Sequence, residues 1–186
     1  NSPRILKQVS ASIPKGKVTA IIGSSGSGKS TLLQLLVGFY EPSEGNISLD
    51  ATQLSAIESK AWRKQIGMVL QDGFIFSGSI AQNIALGAEI INEERLLTAV
   101  RIAQIQHWIE SLPMGYKTQV GETGMGMSKG QQQRLLLARA IYKDPQILFL
   151  DEVTTGLNAF TEVLIMDEML DHLAGRTIVL VAQRYT

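Results

Sequence analysis

The stretch Gly23-Ser24-Ser25-Gly26-Ser27-Gly28-Lys29-Ser30 decides the fold. Its glycine spacing and closing Lys-Ser pair are those of a phosphate-binding loop. Glycine has no Cβ, so the backbone can curl tightly enough to direct several N–H groups at one anion. Lys29 offers a positive charge to the terminal phosphates, and the Ser30 hydroxyl is a ligand type that suits Mg²⁺. The pattern predicts a site for a nucleoside triphosphate.

The flanking residues agree with this interpretation. Residues 18–22 form an apolar run that predicts a buried strand, and residues 31–37 predict a helix. The N-terminus of that helix would point at the anion, which makes Thr31 a further candidate binding residue. The alternative is a Gly/Ser-rich turn without a ligand. The strand before the loop, the helix after it and the Lys-Ser pair favour the binding loop.

Composition and charge limit the possible functions. The chain has 186 residues, zero formal net charge and no cysteine. This length predicts one domain, and the neutral charge does not favour a nucleic-acid partner. The missing cysteines exclude disulfides and thiol-ligated metal sites. No apolar run approaches the roughly 18 residues of a membrane helix, so we expect any membrane link to lie outside this sequence.

Strand and helix patterns alternate along the chain and predict a parallel sheet. Apolar runs at residues 66–70, 147–150 and 177–181 predict further buried strands. Residues 1–17 predict one or two edge strands, and the alternation at residues 46–50 predicts a half-exposed strand. The sequence therefore predicts an α/β fold with a β edge.

A helical insertion interrupts the predicted sheet. Asn92 can cap a single long helix that we expect to run to about residue 111. We place this insertion at about residues 84–144. The core is then expected at about residues 1–83 and 145–186.

Two acidic residues close the apolar strand at residues 147–150. We expect this strand beside the phosphate-loop strand, and ligands of open α/β sheets bind at the carboxyl ends of the strands. Asp151 is a candidate to hold Mg²⁺ through water, and Glu152 is a candidate to polarise an attacking water. The alternative is a strand that simply ends in solvated acids.

Gln71 follows another predicted buried strand. Its amide can ligate a metal or position a water by hydrogen bonds, so Gln71 is both a metal-binding and a catalytic candidate. A glutamine after a strand is usually solvated, which remains the alternative for this position.

Several motifs together resemble the nucleotide-binding domain of an ABC transporter of the exporter type. They are Walker A at residues 23–30, the Q-loop at Gln71, the signature at Ser128-Lys129-Gly130-Gln131, Walker B with the catalytic Glu at residues 147–152, the D-loop at residues 155–158 and the switch position at Gln183. The resemblance covers almost the whole chain, as a domain truncated at both ends. It implies a P-loop NTPase (RecA-like) parallel-sheet core with an antiparallel β edge and an inserted helical subdomain. Within the exporter type, the chain resembles bacterial peptide or bacteriocin exporters.

This resemblance implies ATP and Mg²⁺ as cofactors and a second nucleotide-binding domain as partner. Each ATP would lie between Walker A of one subunit and the signature residues Ser128, Lys129, Gly130 and Gln131 of the other, in a head-to-tail homo- or heterodimer. Transmembrane domains outside this chain would hold it at the cytoplasmic face of a membrane. Two alternatives stay open: a soluble ABC-type ATPase that is not linked to transport, and an ATP-gated dimerisation module with little hydrolysis.

Three residues depart from the family pattern. Lys129 replaces the first signature Gly, Asn158 replaces the D-loop Asp, and Gln183 replaces the switch His. Glutamine can donate a hydrogen bond to the γ-phosphate but cannot carry a proton near neutral pH. Our hypothesis is that ATP binding is intact and hydrolysis is slowed, with Glu152 as the candidate general base and Gln183 as a weakened switch.

Overall fold

The computed structural model describes residues 5–122, 124–153 and 157–183, with only the backbone of Gln183. Within these residues the strands are β1 (Val18–Gly23), β2 (Ser48–Leu49), β3 (Thr52–Gln53), β4 (Ile66–Val69), β5 (Gly78–Ser79), β6 (Gln119–Val120), β7 (Ile147–Asp151) and β8 (Thr177–Gln183). The α-helices are α1 (Lys29–Val37), α2 (Ser59–Gln65), α3 (Ile80–Ile84), α4 (Glu93–Ile102), α5 (Gln106–Glu110), α6 (Lys129–Tyr142) and α7 (Ala159–His172). Short 3₁₀ turns lie at Leu54–Ala56 and Gly115–Lys117.

The main sheet has the strand order β1-β8-β7-β4. β8 is parallel to both of its neighbours, so Ile178 lies opposite Val18 on one side and Leu148 on the other. Helix α1 contacts β7 and β8. The apolar run of β7 is almost fully buried, as is typical of a parallel strand that is covered on both faces. The predicted α/β fold with a parallel core and antiparallel edge strands is confirmed.

Two details of this sheet differ from the predictions. β7 does not pair with β1, because β8 lies between them. Residues 18–22 do not form a buried strand either, since Val18 is 49% and Ile22 is 62% exposed. β1 is an edge strand in which exposed and half-buried residues alternate, so in the described part of the chain one face remains open. An apolar run indicates a strand but not how many of its faces are covered.

Two small antiparallel pairs accompany the main sheet. β2 pairs with β3 around Asp50, so the strand predicted at residues 46–50 is shorter than expected. β5 pairs with β6. The predicted edge strand in residues 1–17 is wrong for residues 5–17, which contain none. Isolated residues such as Val9 give too little apolar surface to hold a strand there.

The chain divides into two compact units. One consists of Asn1–Met68, Pro145–Glu152 and Gly175–Thr186, and it contains almost all of the main sheet. The other consists of Val69–Asp144 and Val153–Ala174, and it contains helices α3 to α7.

The single helix predicted from Asn92 to about residue 111 is wrong, because the structure has α4 and α5 instead. Asn92 does cap α4, since its Oδ1 accepts from the Arg95 N–H at 2.9 Å. The break lies at Gln104, whose φ of 52° is left-handed. Arg134 of α6 donates to the Gln104 carbonyl at 2.6 Å, so a contact distant in sequence fixes this turn.

Candidate nucleotide-binding site

The phosphate loop connects β1 to α1. Gly26 and Gly28 have φ values of 75° and 91°, a left-handed conformation that favours glycine. Gly28 is the N-cap residue of α1, so no side chain caps the first N–H groups of this helix. These N–H groups and the positive end of the helix dipole are available for an anion.

Two of the loop glycines lie close to neighbouring side chains. A Cβ on Gly23 would lie 2.8 Å from Ser27 Oγ. A Cβ on Gly28 would lie 2.8 Å from Leu6 Cδ2 and 3.1 Å from Ile5 Cγ2. A side chain at either position would require Ser27 or Leu6 to shift, and at Gly28 the left-handed φ of 91° adds backbone strain. The support from Leu6 was not predicted, because an isolated apolar residue in a polar segment gives no signal in the sequence.

Lys29 is 8% exposed and belongs to the first turn of α1. Its Nζ donates hydrogen bonds to the carbonyl oxygens of Gly23 and Ser24, both at 2.9 Å. The ammonium therefore lies across the loop and is held by its backbone. An ammonium has three donors, so one remains for a phosphate oxygen beside these two carbonyls.

Both predicted carboxylates lie at the carboxyl end of β7. Asp151 is 4% exposed and pairs in register with Val181, which in turn pairs with Ile21 of β1. Glu152 follows with a left-handed φ of 52°, and its N–H donates to the Val181 carbonyl at 3.2 Å. Side chains alternate between the two faces of a sheet only while the backbone stays extended, and Glu152 is left-handed. The carboxylates of Asp151 and Glu152 are therefore not constrained to opposite faces of the sheet.

The switch position lies beside the phosphate loop. Gln183 pairs in register with Gly23, the first residue of the loop motif. Along β8 it is two residues past Val181, which places it about 7 Å beyond the level of Asp151. Within the first compact unit, the carboxyl ends of the parallel strands thus bring together residues 23–31, Asp151, Glu152 and the backbone of Gln183.

The signature residues begin α6 in the second compact unit. Ser128 is the N-cap: its Oγ accepts from the Gln131 N–H at 3.2 Å, and Gln131 Oε1 accepts from the Ser128 N–H at 2.8 Å. This reciprocal capping box leaves the N–H groups of Lys129 and Gly130 for an external anion. Lys129 is exposed and Gly130 is half-buried.

Two other predicted positions lie in the second unit. Gln71 is exposed in the turn after β4. Asn158 caps α7, since its Oδ1 accepts from the Thr161 N–H at 2.8 Å. This cap was not predicted, although an Asn just before a helix with an acidic first turn is a recognisable signal. Of the other D-loop residues, Leu157 is half-buried, and residues 155 and 156 lie outside the described residues.

The oxygen ligands present suit Mg²⁺. No group of three or more His, Cys, Asp or Glu side chains is placed to hold a metal in residues 5–122, 124–153 and 157–183. Mg²⁺ is usually held by one or two carboxylates together with water and substrate phosphates rather than by a full protein cage. The hydroxyl of Ser30 and the buried carboxylate of Asp151 fit such a partial set.

A parallel sheet with a phosphate loop after β1 and two carboxylates at the carboxyl end of β7 defines a P-loop NTPase. Residues 6–155 match the sequence profile of a family described as "ABC transporter". The chain belongs to this family, as its motifs indicated. In the described ranges, none of the helices has both the length and the apolar character needed to cross a bilayer.

Proteins named for translocation, transport and export are among the similar proteins. The chain is 43% identical over 184 residues to the leukotoxin translocation ATP-binding protein LktB of Mannheimia glucosida, covering 99% of this chain and 26% of LktB. It is 40% identical over 183 residues to the transport/processing ATP-binding protein ComA of Streptococcus pneumoniae, covering 98% of this chain and 25% of ComA. A bacterial Atm1-family ABC exporter with ATP bound superposes with a TM-score of 0.91 at 37% identity, over 96% of this chain and 31% of that one. The chain thus spans about a quarter to a third of these relatives.

Proposed function

We propose that this chain binds and hydrolyses ATP and that it powers export of a substrate through partner transmembrane domains. The observation that carries the proposal is the phosphate loop with buried Lys29 at the same sheet edge as Asp151 and Glu152. The names of LktB and ComA, which describe translocation and transport, support the link to export.

The residues at the sheet edge divide the chemistry between them. The N–H groups of residues 23–31 and the ammonium of Lys29 bind the phosphates. Glu152 takes a proton from the attacking water, and Gln183 donates a hydrogen bond to the γ-phosphate. Mg²⁺, when bound, offsets phosphate charge; Ser30 and Asp151 would hold it, and the family resemblance adds Gln71.

A second chain completes the site in this proposal. The capped N-terminus of α6 is a second anion site, and one triphosphate does not need two separate cradles on the same chain. We infer that residues 128–131 of one subunit cover the ATP held by residues 23–31 of the other, head to tail. ATP then joins the subunits, hydrolysis lets them part, and this cycle acts on the transmembrane partners at the cytoplasmic face of the membrane.

Cysteine cross-linking tests this arrangement, because the chain itself has no cysteine. With Ser27→Cys and Lys129→Cys in a Glu152→Gln background, we expect ATP to give disulfide-linked dimers on a denaturing gel. Both positions are exposed, so neither change disturbs the core. The control pair replaces Lys129→Cys with Ser111→Cys, another exposed position of the second unit. Linked dimers that form equally well without ATP, or with the control pair, would contradict the head-to-tail site.

Two further measurements separate the alternatives. A soluble ABC-type ATPase would remain in the supernatant when a cell lysate is sedimented at physiological salt, whereas an exporter subunit would sediment with the membranes. A dimerisation module would form ATP-dependent cross-links but release no phosphate; the residue that motivates it is Gln183.

Restoring the switch residue is expected to accelerate hydrolysis. Gln183→His combined with Asn158→Asp should raise phosphate release about tenfold, because histidine can transfer protons near neutral pH and positioned proton transfer contributes strongly to rates. Aspartate caps a helix as well as asparagine does, so α7 should keep its N-cap. Steady-state phosphate release by the full-length protein measures the effect. Unchanged turnover in both single variants and the double variant would refute the hypothesis of a slowed site.

A further inference from the structure

Glu168 of α7 binds two side chains at the end of α4. Its Oε2 accepts from Arg101 Nη1 at 2.8 Å, and its Oε1 accepts from Gln104 Nε2 at 3.1 Å. Arg101 belongs to the last turn of α4, and Gln104 follows that helix at the break before α5. Both oxygens of one carboxylate thus attach α7 to this end of α4. Hydrogen bonds to an ionised acceptor are stronger than those between neutral groups.

The turn at Gln104 depends on the contacts that hold it. Gln104 has a φ of 52°, a left-handed conformation that a residue with a Cβ adopts at a cost. Its N–H and its Nε2 both donate to the Arg101 carbonyl, at 2.9 Å and 3.1 Å. A conformation of this kind persists only where the surrounding structure holds it. The contacts of Gln104 therefore decide whether the turn keeps its shape.

Helix α6 binds the same turn through Arg134. This half-buried side chain donates to the Gln104 carbonyl at 2.6 Å and to the Gly130 carbonyl at 3.3 Å. Because Gly130 is a signature residue, Arg134 joins the first turn of α6 to Gln104. Helix α4 packs against both α6 and α7 within the second compact unit. Gln104 is thus bound through its carbonyl to the helix that begins at the signature and through its amide to α7.

We propose that Glu168 is a positioning residue for the signature: by holding the Gln104 turn, it fixes the direction in which α6 presents residues 128–131 to the second subunit. The proposal rests on the proposed function, since it needs these residues to meet ATP that is held by another molecule. The subunit that holds the ATP has no covalent link to α6, so the placement of the signature depends on contacts within its own unit. A displacement of about 1 Å in such a site can cost on the order of 100-fold in rate.

Of the two contacts of Glu168, we assign this role to the one with Gln104. The ion pair joins an Arg101 side chain that is 59% exposed to a Glu168 side chain that is 32% exposed. Exposed ion pairs contribute little, because water screens them and two long side chains must be ordered. The hydrogen bond to Gln104 is partly buried, and it acts directly on the left-handed residue.

Amide hydrogen exchange in the full-length protein tests the attachment. Glu168→Ala should raise exchange at the amides of Gln104 and Ile105 about tenfold, as expected when hydrogen bonds to a charged group are lost. Arg101→Gln should raise it less, since the Gln104 contact remains. Glu168→Gln keeps the shape and the Oε1 acceptor, so it should also show a smaller rise, and it serves if Glu168→Ala does not fold. The matched control, Asp167→Asn, removes a carboxylate from the exposed neighbouring position and should leave these amides unchanged.

Cross-linking tests the placement of the signature. In the Ser27→Cys and Lys129→Cys protein with Glu152→Gln, adding Glu168→Ala should slow the formation of linked dimers at saturating ATP about fivefold. Binding of a fluorescent ATP analogue should stay within about twofold, because residues 23–31 belong to the first compact unit and are not changed. A purely structural role of Glu168 would lower the melting temperature without changing the cross-linking rate of the folded protein.

ATP turnover gives a second measurement of the same role. With Glu152 intact, Glu168→Ala should lower kcat about fivefold and leave KM for ATP within about twofold. Adding Glu168→Ala to Arg134→Gln should cause little further loss, because both residues act on the signature through the Gln104 turn.

Three results would overturn the role of Glu168: unchanged exchange at Gln104 and Ile105, an unchanged cross-linking rate, or losses of kcat that multiply in the double variant with Arg134→Gln. A different result would overturn the proposed function. In that case the parent cysteine pair would give no ATP-dependent dimers, or the wild-type protein would show no ATP turnover.

Discussion

Replacing Glu152 with Gln is expected to lower steady-state ATP turnover about 100-fold or more, because positioned general bases contribute on the order of 10² to 10⁴ in rate. Glutamine has the same shape and keeps the hydrogen-bonding oxygen, but it cannot accept the proton of the attacking water. Phosphate release measures turnover, and a fluorescent ATP analogue measures binding. We expect binding to stay close to that of the wild type.

We expect Glu152→Gln to remove the proton acceptor without disturbing the local structure. Glu152 has a left-handed backbone, and its N–H holds the Val181 carbonyl, so a change of shape would disturb β8 as well. Glutamine leaves both features in place. Glu89→Gln removes a carboxylate from an exposed position of the second unit and serves as the matched control. If Glu152→Gln and Glu89→Gln turn over ATP at the same rate, Glu152 is not the base, and another group must orient the water.

Lys29→Ala is expected to weaken ATP binding about tenfold to 100-fold, the range for losing hydrogen bonds to a charged group. The ammonium is the positive side chain already lying across the phosphate loop, held by the carbonyls of Gly23 and Ser24. Alanine removes the charge and leaves these two oxygens without this donor. Titration of the protein with ATP gives the dissociation constant.

Stability has to be measured alongside affinity for Lys29, because the residue is buried. A thermal melt without nucleotide separates a loss of fold from a loss of binding. Lys15→Ala is the control, since Lys15 is exposed in the turn before β1. An Lys29→Ala protein that melts like the wild type and binds ATP with the same affinity would exclude this lysine from the site.

The phosphate loop could be predicted in detail because its determinants are local. Three glycines, Lys29 and Ser30 lie within eight consecutive residues, and the need for left-handed glycines at positions 26 and 28 follows from the loop itself. The pair Asp151 and Glu152 was predictable for the same reason, as two acids that end an apolar run. The position of β8 between β1 and β7 was not, because strand order depends on pairing between segments far apart in sequence.

Long-range contacts also explain the other differences. Nothing local stops the helix that starts at Asn92, and the break at Gln104 is fixed by Arg134, thirty residues away in the chain. The exposure of Ile22 depends on what packs against β1, which periodicity does not reveal. The hydrogen bond from Gln104 to Glu168 similarly joins residues more than sixty positions apart in the chain.

The capping box at the start of α6 has a consequence for how quickly two subunits could meet. Ser128 and Gln131 satisfy each other within one chain, so the conformation of this turn does not depend on a nucleotide or a partner. A surface that is already ordered loses little conformational entropy when it is covered. We therefore expect the signature residues to contact a partner without changing conformation. The rate at which two subunits associate would then be limited by diffusion and orientation, with no folding step at the contact.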